Sequence, residues 1–360
     1  MSADGYQGPP ELTVARAFTS WTLDVPVLAV VLLAGVLYLA GARRMRRTGG
    51  GWGTGRTAAF CGGLGVIVLA TMGFLGVYQW VLFYARAIQT VLLLLAAPLL
   101  LALGRPLSLG IAAAPRLGRR AGALVASRPA RVLTFPAITA LAVVLVGFLL
   151  YFTPWYEAGL RNDLVRELTY LALLAPGVVF FWTLLRIDPV PKAYPYLVTM
   201  WVTGAEVVGD AVLGLAIMAD QNLIAGSYYQ AIGRPWGPSL RADQVVGGGA
   251  IWLIGDLIGL PFLGAMLIQM MREDEKEARA VDAELDAAEA QPGAAGAQPG
   301  AVGAQLGAAG AQPGPVEAGL GAADPRRGTA DPGPAATGAG RPWWESDPRF
   351  AGRFRPPGSD

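Results

Sequence analysis

Long runs of apolar residues, separated by short polar connections, dominate the chain up to Met271. A run of about 20 apolar residues is long enough to cross the hydrocarbon core of a bilayer as a helix. Seven such segments are predicted, and they are Trp21–Ala40, Ala58–Val77, Val81–Leu103, Val132–Tyr151, Leu164–Leu185, Tyr196–Met218 and Val245–Met270. Backbone polar groups must be satisfied inside a bilayer, so the segments are expected to be helices. The pattern therefore predicts an all-α, polytopic membrane protein built as a seven-helix bundle.

The basic residues predict how this bundle is oriented. They concentrate in the first, third and fifth connections, and they are Arg43, Arg44, Arg46, Arg47, Arg56, Arg105, Arg116, Arg119, Arg120, Arg128, Arg131, Arg186 and Lys192. Cytoplasmic connections carry the excess of Lys and Arg. We therefore expect the N-terminus outside the cell and the C-terminus in the cytoplasm.

Changes in composition divide the chain into four parts. Residues 1–20 are expected to be an extracytoplasmic N-terminal segment, and residues 21–271 form the membrane domain. Residues 272–290 are highly charged and predict a cytoplasmic helical extension. Residues 291–360 contain a seven-residue repeat rich in Ala, Gly and Pro. Proline and glycine in nearly every repeat forbid a coiled coil, so this tail is predicted to be disordered.

Two connections have distinctive sequences. The one from Ala219 to Gln244 is rich in Tyr, Trp, Gly and Pro. It is interpreted either as an aromatic belt at the membrane interface or as a lid over a pocket that faces outward. The sequence DPVP, Asp188–Pro191, follows the fifth apolar segment, and its prolines predict the end of that helix.

The amino-acid composition limits the kinds of site and partner that the protein can have. The chain is 54% hydrophobic and 15% charged, whereas soluble domains contain about 25% charged residues. It has no histidine and a single cysteine, Cys61, which excludes an internal disulfide framework and removes the commonest metal ligand and general base. The net charge of +2 gives no indication of a nucleic-acid partner. No constellation of catalytic residues is found, so the protein is not expected to be an enzyme.

Seven polar or charged residues of the apolar segments are selected as candidates for a function, because each charge there costs about 3 kcal/mol. They are Arg86, Gln89, Arg166, Glu167, Glu206, Asp210 and Asp256. Glu206 and Asp210 are four residues apart and therefore share one helix face. These residues predict a proton or ion path, a site for a hard cation, or a buried network of ion pairs.

The network is the favoured interpretation, because the arginines can cancel the carboxylates. Buried charges are generally paired, so Arg86 is predicted to face an acid of the sixth or seventh segment. On this hypothesis Arg86→Leu should destabilise the bundle by about 3–5 kcal/mol, since its partner would stay buried and unpaired.

Several sequence landmarks occur in order between Trp21 and Arg279. They are WTLDVPVL, RAIQTVLLLLAAPLLLALGRPLSL, FTPWYEAGLRNDLVRELTYL, FFWTLLRIDPVP, YYQAIGRPWGP and ADQVVGGGAIWLIGD. As a set they resemble the CtaG-type cytochrome c oxidase assembly proteins of bacteria. The resemblance implies a seven-helix protein of the bacterial plasma membrane that helps to mature the copper centre of the oxidase.

The chain departs from the family pattern at its histidines. The family pattern HxxQH falls on Arg86 and Thr90, with Gln89 kept. The histidines of the fifth segment fall on Arg166, Tyr170 and Ala172, with Glu167 kept, and the one in the sixth falls on Asp210. The resemblance thus implies a divergent member without a copper site of its own. A role for copper is implied only by the resemblance to the family.

Two functional hypotheses follow. The first is an oxidase assembly or accessory factor that lies in the lipid bilayer, contacts cytochrome c oxidase subunits and holds no cofactor. The alternative is a small-solute or proton-coupled transporter that uses Arg86, Glu206, Asp210 and Asp256.

Overall fold

The computed structural model describes residues 6–49, 51–113, 127–190 and 194–289. Within these ranges, six helices are long and apolar enough to cross a membrane. A seventh crossing is made if the helices Pro136–Phe152 and Trp155–Arg161, bent by 68°, count as one. In chain order the seven spans are Val25–Arg47, Thr54–Tyr78, Phe83–Ala113, Pro136–Phe152 with Trp155–Arg161, Asp163–Leu185, Leu197–Ala219 and Leu240–Ala287. The described residues contain no strand, so the prediction of an all-α membrane fold is confirmed, and the predicted seven crossings are reached when the bent pair is counted as one span.

Short helices flank these spans at Val14–Thr19, Arg128–Leu133 and Gly226–Ile232. The first span begins at Val25 rather than at Trp21, because the side chain of Asp24 caps it by accepting a hydrogen bond from the backbone N–H of Val27. The fifth span ends at Leu185, and Arg186 follows in a left-handed conformation. The predicted end of this helix before the DPVP sequence is therefore confirmed.

The third span occupies the centre of the bundle. Buried positions make up 61% of its most apolar stretch, against 17% in the first span. It packs against the second, fifth and seventh spans, and its last helix, Pro106–Ala113, also packs against the first span, which otherwise packs mainly against the second among the described spans. The residues of the third span are therefore enclosed by protein, and much of the first span faces lipid.

A local irregularity lets the third and fifth spans approach closely. The third span consists of the helices Phe83–Val91, Ala97–Leu103 and Pro106–Ala113, with π-helix at Leu92–Ala96 between the first two. Pro98 has no N–H to donate to the carbonyl oxygen of Leu94, which accounts for the change in winding. Gly177 packs directly on that oxygen, and the contact leaves no room for a side chain at this position.

One end of the bundle is covered by two connecting segments. The Tyr78 hydroxyl donates to the backbone oxygen of Pro10 at 2.9 Å, and the rings of Tyr6 and Trp236 make an edge contact with centroids 6.3 Å apart. The N-terminal segment and residues 226–237 therefore lie together, and this end is called the covered end below.

The remaining sequence predictions have different outcomes. The seventh-span helix runs without a break from Leu240 to Glu289, so it continues through the charged segment predicted to be helical. The predicted tail, residues 291–360, lies outside the described residues. The orientation of the N- and C-termini stays a prediction.

Candidate functional site

The seven predicted polar residues do not form one network. The structure divides them into three groups, which lie in different parts of the bundle. The Arg86 cluster contains Arg86 and Gln89, the rim cluster contains Arg166 and Glu167, and the acid group contains Glu206, Asp210 and Asp256. Each group has its own way of accommodating charge.

Arg86 is buried on the third span, with 2% of its surface exposed. Its Nη1 donates to the amide oxygen of Gln79 at 3.1 Å, and its Cζ lies 5.1 Å from the ring centroid of Tyr156. Its Nε has no hydrogen-bond partner in the described part of the chain. None of the ion pairs between described residues involves Arg86. The predicted pairing of Arg86 with an acid of the sixth or seventh span is therefore wrong.

The helix geometry explains this outcome. The guanidinium is directed toward the second and fourth spans, where Gly159 leaves room for it. A Cβ at Gly159 would lie 2.7 Å from Nη2. Asp210 instead faces the seventh span, where a Cβ at Gly255 would lie 3.1 Å from its Oδ2. The two charges therefore project into different helix interfaces, which segment order alone could not reveal.

Neutral hydrogen-bonding groups surround Arg86. The amide nitrogen of Gln79 donates to the Tyr170 hydroxyl at 3.1 Å, and that of Gln89 donates to the backbone oxygen of Ala70 at 2.7 Å. The Thr90 hydroxyl donates to the backbone oxygen of Arg86 at 2.9 Å and accepts from the Tyr151 hydroxyl at 3.1 Å. Three of the residues at family histidine positions, Arg86, Thr90 and Tyr170, thus belong to one hydrogen-bonded cluster, whereas Ala172 has no polar side chain to contribute.

A lid covers this cluster. The hydroxyls of Tyr156 and Tyr229 lie 2.8 Å apart, and Tyr229 belongs to the short helix Gly226–Ile232 in the connection after the sixth span. Burial raises the pKa of the Tyr229 hydroxyl above its ordinary value of 10.0. The short helix therefore packs over the Arg86 cluster, and the choice between an aromatic belt and a lid over a pocket stays a prediction.

The rim cluster lies at the start of the fifth span. The Arg166 guanidinium forms ion pairs with Asp163 at 2.5 Å, Glu167 at 3.1 Å and Asp24 at 3.9 Å. Its Cζ also lies 5.0 Å from the ring centroid of Trp80. Arg166 thus has carboxylate partners, and two of them, Asp24 and Asp163, were missed by the sequence analysis because they lie outside the apolar core of the spans.

The acid group lies between the sixth and seventh spans. Glu206 and Asp210 are 3% and 4% exposed, and Asp256 is half-buried. Glu206 and Asp210 lie one turn apart on the sixth span, and Oε1 of Glu206 has no hydrogen-bond partner among the described residues. Among the described residues no Lys or Arg forms an ion pair with any of the three. Two neighbouring buried carboxyl groups without a basic partner are costly to ionise together.

Two aspartates that the sequence analysis did not select hold the ends of the third span. Asp243 accepts hydrogen bonds from the backbone N–H groups of Phe83 at 3.1 Å and Tyr84 at 2.9 Å, and it forms a buried ion pair with Arg234 at 3.2 Å. Asp188 accepts from the N–H groups of Leu107 at 3.2 Å and Ser108 at 3.0 Å. Each caps a helix N-terminus from a distant part of the chain. Their positions in the ADQ and DPVP landmarks were the available signal.

The donor chemistry of the Arg86 cluster does not fit copper. Cu(I) prefers thiolate, thioether or imidazole ligands, whereas a guanidinium has no lone pair to donate and repels a cation. The Thr90 and Tyr170 hydroxyls are already hydrogen-bonded within the cluster. In the ranges that the structure describes, no group of three or more Cys, His, Asp or Glu residues could hold a metal ion.

Comparison with known proteins adds a family. The sequence model described as cytochrome c oxidase caa3 assembly factor matches residues 36–273. The chain is also 29% identical, over 290 residues, to proteins named Uncharacterized protein Mb0105 from Mycobacterium bovis, MT0111 from Mycobacterium tuberculosis and ML1998 from Mycobacterium leprae. Each match covers 78% of this chain and 44% of the relative, so the chain spans less than half the length of these relatives. No solved structure matches it.

Proposed function

Because this chain belongs to the cytochrome c oxidase caa3 assembly factor family, we propose that it assists the assembly of a cytochrome c oxidase through protein contacts in the membrane, without holding copper itself. The observation that carries the proposal is the identity of the buried group at the first family histidine position. A guanidinium with 2% exposure occupies it, and a cation held there disfavours a second cation.

The arrangement around Arg86 supports a scaffold rather than a transfer site. Gln79, Gln89 and Thr90 direct their hydrogen bonds to neighbouring backbone and hydroxyl groups. The lid helix is joined to the cluster by the Tyr156–Tyr229 contact. A site that receives and releases a metal needs donors that can exchange partners, whereas these groups hold the second, third and fourth spans together.

The proposed location is the bacterial plasma membrane, with the N-terminus outside and the C-terminus in the cytoplasm. The basic connections support this orientation through the excess of Lys and Arg on cytoplasmic loops. The covered end, with the lid helix and the N-terminal segment, then faces the outside of the cell. We propose this face as the region that contacts oxidase subunits.

Deletion and complementation test the proposal. In a strain that lacks the gene, membranes should lose cytochrome c oxidase activity and the absorbance of the assembled oxidase. The wild-type gene and Arg86→Met should both restore them, because neither depends on a copper ligand at this position. Restoration by wild type but not by a correctly inserted Arg86→Met protein would contradict the scaffold role of the Arg86 cluster. No loss on deletion would contradict the assembly role itself.

The acid group favours one second candidate, a proton-coupled transporter. Glu206 and Asp210 are buried together without a basic partner in the described chain, and buried carboxyl groups inside bundles commonly carry protons. Arg86 is not part of that group, so a path through Glu206, Asp210 and Asp256 would have to run between the sixth and seventh spans alone.

Asp210→Asn separates the two functions. An assembly scaffold should tolerate this substitution, since an amide has nearly the same size and shape as the carboxyl group that it replaces. A proton-coupled transporter should lose uptake while oxidase activity in the same cells is unchanged. Intact uptake of every tested solute together with lost oxidase activity would instead place the acid group within the assembly function.

A further inference from the structure

A long apolar groove separates the first span from the fifth. Its volume is about 600 Å³, and it is open along one side. The groove is lined mainly by aliphatic side chains, including Val27, Val31, Ile67, Leu171, Leu174 and Val178. The first span packs against the second span and against Pro106–Ala113, so the groove remains between it and the fifth.

The size of the groove limits what can occupy it. Its lining on the fifth span runs from Glu167 to Trp182, which is roughly 22 Å at 1.5 Å per residue. A single long acyl chain is apolar, matches this length and can enter through the open side of the groove. A second copy of the chain is the other apolar occupant, and the experiment below distinguishes the two.

Apolar fit does not distinguish one lipid from another, because lipid tails are as apolar in the bilayer as in the groove. Selection must therefore come from the polar ends. At one end Glu167 lines the groove and contacts Arg166, which also pairs with Asp24 and Asp163. Three carboxylates around one guanidinium leave an excess of negative charge at this rim. At the other end Asp188 is occupied in capping the helix that begins at Pro106.

We propose that the groove is a site for a phospholipid with a primary-amine headgroup, such as phosphatidylethanolamine. One acyl chain lies along the fifth span, and the ammonium lies at the rim cluster. The ammonium carries a positive charge and donates hydrogen bonds to carboxylate oxygens. A choline headgroup carries the charge but has no N–H to donate, and a glycerol headgroup lipid is anionic and is repelled. The lipid joins the loosely packed first span to the rest of the bundle.

Native mass spectrometry of the full chain, delipidated in mild detergent, tests the site. Phosphatidylethanolamine, phosphatidylcholine and phosphatidylglycerol with identical oleoyl chains are added separately. We expect one phosphatidylethanolamine to be retained per chain, with about tenfold preference over phosphatidylcholine, as one charge-assisted hydrogen bond provides. Equal retention of the three lipids, or preference for phosphatidylglycerol, would overturn the proposal.

Matched variants locate the binding. Glu167→Gln should lower the preference for phosphatidylethanolamine while leaving a bound lipid. Leu171→Trp should fill the groove and remove the retained lipid. Val208→Trp, on the lipid-exposed face of the sixth span with 62% exposure, is the control and should retain it. If Leu171→Trp does not fold, Ala34→Leu narrows the same groove from the first span.

Unchanged retention in both groove-filling variants would place the lipid elsewhere and overturn the proposal. So would the loss of bound lipid on dimerisation, since a second copy of the chain would then be the occupant. These outcomes do not depend on oxidase assembly, so the lipid site and the proposed function fail independently.

Discussion

The Arg86 cluster and the acid group bury opposite charges in the same bundle, yet the structure accommodates them differently. The cation lies among neutral dipoles and aromatic rings, with Gln79 as its hydrogen-bond acceptor and Tyr156 beneath its guanidinium. The acids Glu206 and Asp210 face each other, with no basic partner in the described chain. Opposite charges that the sequence suggests will pair therefore need not be in contact in the fold.

The difference also shows what each region depends on. Arg86 requires a set of polar neighbours held in position, and Asp243 supplies part of that order by capping the helix that carries Arg86. The acid group has no such set of neighbours, and its cost comes from burying two acids one helical turn apart. We therefore expect substitutions near Arg86 to act through structure, and substitutions in the acid group to act through charge.

The largest effect is expected at Asp243. Asp243→Asn breaks the buried pair with Arg234 and leaves a buried guanidinium unpaired, which should lower the free energy of unfolding by about 3–5 kcal/mol. Thermal unfolding of the detergent-solubilised protein measures it. Asp163→Asn is the matched control, because its side chain is 84% exposed and should cost at most about 1 kcal/mol. Similar losses in both variants would show that Asp243 does not anchor the third span.

The next largest effect is expected in the acid group, where the substitution should stabilise the protein instead of destabilising it. Glu206→Gln removes one of two facing acids and supplies an N–H donor to Asp210, so it should raise the free energy of unfolding by about 1–2 kcal/mol. Glu275→Gln, on the exposed part of the seventh helix, should change it by less than about 0.5 kcal/mol. A destabilised Glu206→Gln protein would contradict this account of the acid group.

A smaller effect is expected at the lid. Tyr229→Phe removes the hydroxyl contact with Tyr156 and should cost about 1 kcal/mol at neutral pH. Because burial raises the folded-state pKa of Tyr229, the stability that it contributes is fully present below pH of about 10 and is lost as the pH rises through the folded-state pKa. Above a pH of about 10, the free energy of unfolding should therefore fall less steeply with pH in Tyr229→Phe than in wild type. Identical alkaline slopes would argue against a buried lid hydroxyl.

The smallest effect is expected at Arg86, although it is a buried charged residue of the central span. Arg86→Met leaves no carboxylate unpaired, and Gln79 can still accept from the Tyr170 hydroxyl. The lost hydrogen bond and ring contact are offset by the desolvation cost that the cation no longer imposes, so stability should change by less than about 1 kcal/mol. This replaces the loss of about 3–5 kcal/mol expected from an ion pair. A loss of that size, measured by the same unfolding experiment, would reveal a counter-charge and remove the contrast between the regions.

The helices were predictable because apolar runs of spanning length have few alternatives in a bilayer. The 68° bend between the helices Pro136–Phe152 and Trp155–Arg161 and the π-helix at Leu92–Ala96 were not, since they depend on how neighbouring helices pack. For the site, the sequence identified which buried residues are polar but not which ones meet. Arg86 and Asp210 were paired on charge, whereas their contacts depend on rotation about each helix axis, and small residues such as Gly159 and Gly255 determine the space available.

Because the sequence does not show which residues are in contact, it also missed several residues of the site. Gln79, Asp24 and Asp243 lie at or near the ends of apolar segments, where polar residues are common and carry no signal of their own. The family resemblance was more informative, because it selected Arg86, Thr90 and Tyr170, which do lie in one cluster. It could not indicate that Arg166 and Asp210 belong to two other groups.

The copper content of the purified protein tests the central claim most directly. Wild-type protein, extracted in mild detergent from cells grown with added copper, should contain far less than one copper ion per chain by elemental analysis, because the Arg86 cluster presents a cation where a ligand is needed. An Asp243→Asn sample, which is expected to be less stable, is prepared in parallel as a control for copper that binds to poorly folded protein. A stoichiometric, tightly held copper ion in well-folded wild type would contradict the account.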